Sequence, residues 1–92
     1  MYQPNETLFL FMTNNQTDNY KTRDLAEAAT LIVKGQQFLT ILREGNICWF
    51  VFGNKDVCEQ LSNQYYYSEV LVNARAFHEA CSRLKGRVFA KE

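Results

Sequence analysis

Gln36–Asn54, QQFLTILREGNICWFVFGN, reads as a β-hairpin. Two runs rich in β-branched and aromatic residues flank Glu44-Gly45-Asn46, and Gly and Asn are the residues that best supply the positive φ angles of a tight hairpin turn. With a two-residue loop, cross-strand pairing puts Phe38, Thr40, Leu42, Ile47, Trp49 and Val51 on one face. Leu39, Ile41, Arg43, Cys48, Phe50 and Phe52 fall on the other. Both faces are largely apolar, whereas a sheet with one solvated face alternates apolar and polar residues. The hairpin is therefore expected to be covered on both sides, by helices on one and by the N-terminal segment or another protein chain on the other.

Upstream, Thr7–Thr13 (TLFLFMT) reads as a further strand, and the polar, turn-forming run Asn14–Asn19 as a loop. Tyr20-Lys21-Thr22 is a short extended piece. Asp24 then caps a helix, with Glu27 three residues on in the capping-box position. Leu25, Ala28, Ala29 and Ile32 keep the spacing of a buried helical face, and Lys34-Gly35 marks the end. Downstream, Asn54 is the N-cap expected for a second helix carrying Val57, Cys58, Leu61 and Tyr65 inward, ended by Tyr65-Tyr66-Tyr67. Val70-Leu71-Val72 reads as a small strand or an extended connection. Asn73 caps a third helix with Phe77, Ala80, Cys81 and Leu84 inside and a stop at Gly86. The expected class is α+β, an antiparallel sheet built on the central hairpin with three helices. The alternative is a ferredoxin-like βαββαβ plus a C-terminal helix, with Leu8–Met12 and Val70–Val72 as its outer strands.

At 92 residues the chain is read as one domain, an N-terminal extension at 1–19 and a core at 20–87. Hydrophobic residues make up 47%, which excludes a disordered chain. Ten basic residues balance ten acidic ones, so no global field draws it to nucleic acid or membrane. The balance is polarised: five basic against eight acidic residues up to Ala74, then five against two from Arg75. Three cysteines without a Cys-x-x-Cys spacing argue against a disulfide framework or zinc ribbon and suggest reduced thiols in a cytoplasmic protein. The first apolar run is too short for a signal sequence or a membrane span.

The pattern Tyr20-Lys21-Thr22-Arg23-Asp24-Leu25, Lys34-Gly35, Phe50-Val51-Phe52, Val72-Asn73-Ala74-Arg75-Ala76-Phe77 and Leu84-Lys85 resembles a small domain family of unknown function encoded by bacteria and their phages. In that family an aromatic-x-Thr-x-Asp-Leu start opens the first helix, a Gly ends it, and a Val-x-Ala-x-x-Phe segment opens the last. The resemblance covers 20–87. It implies an accessory protein of a phage or mobile element and carries no activity, cofactor or ligand with it.

Chemistry is sparse. His78 is the single histidine, three residues from Cys81 on one helix, with Cys58 the remaining thiol to consider as a ligand; the bland reading has Cys81 in the core. Gly35, Gly45, Gly53 and Gly86 are isolated, so there is no phosphate loop. The expectation is a non-enzyme with no cofactor and no metal. Three consecutive tyrosines cannot all face inward on one helix, because neighbours lie about 100° apart. Tyr65, Tyr66 and Tyr67 are thus the candidate surface for a protein partner or for a second copy of the chain. The alternative is nucleic-acid binding by the C-terminal cations Arg75, Arg83, Lys85, Arg87 and Lys91.

Overall fold

A computed structural model describes residues 18–90. The expected strand at 7–13, most of the loop after it, and Lys91 lie outside the described residues. In chain order the elements are β1 (Tyr20–Thr22), α1 (Leu25–Val33), β2 (Phe38–Glu44), β3 (Ile47–Phe52), α2 (Lys55–Tyr66) and α3 (Ala74–Ala90). The strands form an antiparallel sheet in the order β1-β3-β2, and with three helices this is an α+β fold. Val70–Val72 forms no strand and lies in the irregular connection between α2 and α3. A ferredoxin-like arrangement, which needs an outer strand there, is not adopted among the described residues.

Glu44 pairs with Ile47, so the loop is Gly45-Asn46 as expected. Only Gly45 sits at positive φ, +61°; Asn46 does not. This is the primed turn with Gly first, which matches strand twist while asking for one left-handed residue and not two. The pairing of Ile41 with Phe50, Leu42 with Trp49 and Arg43 with Cys48 follows the expected faces. At the other end a bulge between Phe38 and Thr40 corrects them: Phe38 lies opposite Phe52, Thr40 opposite Val51, and Leu39 is the extra residue. Phe38 therefore turns to the core face, its ring edge-on to Phe52 at 5.5 Å, and Leu39 is left exposed. Two aromatic rings bury more apolar area together than a leucine beside one ring would.

The core joins Phe50 and Phe52 of β3 to Ala28, Ala29 and Leu31 of α1, Cys58 of α2, and Ala80 and Leu84 of α3. All three helices thus supply the same face of the sheet. The small alanines of α1 let its backbone approach closely, and α1 packs chiefly on α3. The opposite face carries Lys21, Thr40, Leu42, Ile47, Trp49 and Val51, which lie outside this cluster, and of them Val51 is buried.

The caps show how local signals were used. Asp24 accepts from the Glu27 N–H at 3.0 Å, as expected, but the reciprocal bond of a capping box does not form. The Asp24 N–H donates instead to Thr22 Oγ1 (3.1 Å), and Glu27 turns inward. Asn54 is the N-cap of α2 in a left-handed conformation (φ 61°) and makes no side-chain cap bond; the Lys55 N–H is satisfied by the Asp18 carbonyl. Asn73 caps α3 through the Ala76 N–H at 2.9 Å.

α3 does not stop at Gly86 but runs on to Ala90. Val88 continues its apolar stripe, and Arg43 Nη2 donates to the carbonyls of Arg87 and Val88, each at 3.1 Å, where the helix dipole favours a cation. These gains offset a glycine in a helix interior. A Cβ on Gly86 would meet nothing within 4 Å, and its φ is not in the left-handed region. Gly86→Ala is therefore expected to stabilise the fold by about 0.5–1 kcal/mol. Thermal unfolding followed by circular dichroism should show a midpoint higher by roughly 3–6 °C.

Candidate functional site

The most unusual group in the molecule is Glu27, 2% exposed with no cation bound to it in the described structure. Its burial follows from sequence position: one residue before Ala28 and four before Leu31, it borders the inner stripe of α1. Four hydroxyls converge on it. Tyr20 (2.5 Å) and Ser62 donate to Oε2, and Thr22 (2.6 Å) and Tyr66 (2.8 Å) to Oε1. Burial pushes its carboxyl pKa up, but the donors, Ser62 foremost, outweigh burial and hold it below the ordinary value. Burial and then the bond to Glu27 push Tyr20 up to about 12, and the same causes raise Tyr66. At neutral pH the cage is thus a fixed carboxylate under four protonated hydroxyls. It ties β1, α1 and α2 together. Burial, then the charge of Glu27, raises the nearby Cys58 thiol, disfavouring its nucleophilic form.

This geometry divides the three tyrosines. Tyr65 is half-buried, its ring 4.9 Å from that of Tyr66 in an edge-on arrangement. Tyr66 is 60% exposed but commits its hydroxyl to Glu27, and Tyr67 stands out at 76%. A surface built on them offers one free tyrosine and the flank of another.

The C-terminal cations among the described residues, Arg75, Arg83, Lys85 and Arg87, do not form one patch. Arg75 pairs with Glu79 at 3.3 Å in the first turns of α3. Arg83 and Arg87 share a side of the helix four residues apart and line a cavity of about 270 Å³ with Phe38, over whose ring Arg87 sits at 5.2 Å. Lys85 lies about 200° round the helix from Arg83 and faces a different cleft.

That cleft, about 360 Å³, opens at the turn end of the hairpin between the start of α1 and the last turns of α3. Arg23 and Lys85 border it, with Ile47, Cys48, Val88 and Phe89 among its walls. Arg23 also reaches the Trp49 ring (5.8 Å to its centre), as does Lys21 (5.2 Å), while the indole N–H donates to Glu44 at 3.0 Å. Trp49 thus links two cations on the sheet face. From the sequence, Trp49 reads as a hairpin ring, either core or part of an aromatic strand of the RNA-recognition kind, and Lys21, Arg23 and Arg43 are not singled out as site residues. Their signal is register: Thr22 pairs with Phe50, which brings Arg23 alongside Trp49.

His78 is exposed, Cys81 half-buried and Cys58 buried, and no group of three metal-ligating side chains is gathered among the described residues. No helix among them is long and apolar enough to cross a membrane. Comparison of the chain with protein-family models, with curated proteins and with solved structures gives no match.

Proposed function

We propose that this chain is a non-enzymatic interaction protein, an inhibitor or accessory factor of the phage or mobile-element kind, that acts by binding another protein. The observation that supports the reading is the sheet face opposite the helices. Leu42 is 39% exposed there, Ile47 and Trp49 are half-buried, and the bulge adds exposed Leu39 at its edge. Paired with Lys21 and Arg23 around Trp49, this face suits a partner surface that is apolar with acidic side chains at its margin. The phage or mobile-element setting rests on the family resemblance alone. Splitting of the α3 cations over two sides weighs against the nucleic-acid alternative, since backbone binding needs concentrated positive charge.

The test is affinity capture from an extract of cells carrying the gene, with wild type and Leu42→Asp, beside light scattering of each. A partner, or a dimer, held by wild type and lost with Leu42→Asp is the expected result. Monomers that capture nothing dependent on Leu42 would refute it.

A further inference from the structure

We propose that the cleft at the turn end of the hairpin binds a small organic anion with an apolar body, of the medium-chain or aryl carboxylate class. The cleft shares Ile47 and Arg23 with the margin of the protein-binding face, but Leu42, on which the protein-binding reading is tested, does not line it and Lys85 does. The cleft, about 360 Å³, falls within the range of small-molecule sites. Its walls divide the ligand in two. Ile47, Val88 and Phe89 form an apolar wall, and Phe89 is an aromatic side chain left 77% exposed. Arg23 in the β1–α1 connection and Lys85 in α3 supply two cations, and among the described residues no Asp or Glu lines the cleft. Lys21, gathered with Arg23 over Trp49, adds a third positive group next to it. A carboxylate head would sit against Arg23 and Lys85 in charge-assisted hydrogen bonds, and the body would cover Phe89 and Val88. The second cavity, beside Phe38, does not offer this division, because its Arg87 already lies over the Phe38 ring.

Octanoate is the probe, read by the fluorescence of Trp49, the single tryptophan of the chain, and by amide shifts in nuclear magnetic resonance. Saturable binding is expected, with shifts centred on Asn46–Cys48 and Val88–Phe89. Acetate, which has the head without the body, and 1-octanol, which has the body without the charge, should each bind at least about tenfold more weakly. Lys85→Gln, an exposed position that leaves the core intact, should weaken octanoate by about tenfold, and Arg23→Gln with it by more. Arg75→Gln should change nothing. Equal binding of octanoate and octanol, shifts away from the cleft, unchanged affinity in the folded Lys85→Gln protein, or no saturable binding would each overturn the proposal.

Discussion

Glu27→Ala is expected to cost about 3 kcal/mol or more of folding free energy, a large share of the roughly 5–14 kcal/mol expected for a chain of this length. The cost lies in the hydroxyls left behind. Thr22 and Ser62 are buried (6% and 4% exposed), and without the carboxylate neither has the acceptor its proton now uses. An unsatisfied buried donor costs about 1–3 kcal/mol, whereas Tyr20 and Tyr66, closer to the surface, can turn to water. Glu27→Gln separates charge from shape: the amide keeps one oxygen and turns a donor NH₂ towards two hydroxyls that are themselves donors. It should fall between wild type and Glu27→Ala, at about 2 kcal/mol. Urea unfolding followed by Trp49 fluorescence measures both. A loss under about 1 kcal/mol for Glu27→Ala would mean that the cage is solvated and not structural.

The same carboxylate makes stability depend on pH, with a definite sign. The folded-state pKa of Glu27 is depressed below its ordinary 4.5, so its contribution is complete above that value and is lost as pH falls through the depressed one. Wild type should therefore lose its advantage over Glu27→Gln as pH falls below 4.5 and through the depressed folded-state value. On the alkaline side Tyr20 acts in the opposite sense. Its pKa is raised from 10.0 to about 12, so its contribution is whole below 10.0 and is lost as pH rises through about 12.

What the sequence disclosed and what it withheld divide along sequence separation. The hairpin turn, the caps at Asp24 and Asn73 and the α1 stop at Gly35 are set by residues within four positions of each other, and each appears in the structure. The capping box at Asp24–Glu27 was only half right, because the donors that draw Glu27 inward come from residues 5 and 7 positions back and 35 and 39 positions on. No local pattern contains that information. Gly86 looked like a stop for a similar reason: the carbonyls beyond it are satisfied by Arg43, 44 and 45 positions away. The exchange of Phe38 for Leu39 on the core face depends on a bulge that strict alternation cannot anticipate. The candidate site suffers most, since the cleft draws its two cations from β1–α1 and from α3, and chain order alone does not bring these together.

Phe52→Ala is the second large effect, expected to cost about 3–5 kcal/mol. Phe52 is wholly buried on the central strand, opposite Phe38 on one side and Tyr20 on the other, and the removed ring leaves a void that neighbours on three elements would have to collapse into. Phe52→Leu keeps most of the volume and should cost about 1–2 kcal/mol, while Phe89→Ala, at a ring 77% exposed, should stay within about 0.5 kcal/mol. Tyr20 pairs with Phe52 across the sheet and donates to Glu27 at its hydroxyl, so the core and the cage share one side chain. Combining Phe52→Leu with Glu27→Gln should therefore depart from additivity by about 0.5 kcal/mol or more in urea unfolding, because each change frees Tyr20 from one of its two anchors. Strict additivity would show that β1 is held by the sheet and by the carboxylate independently, and that the hydroxyl cage does not brace the core.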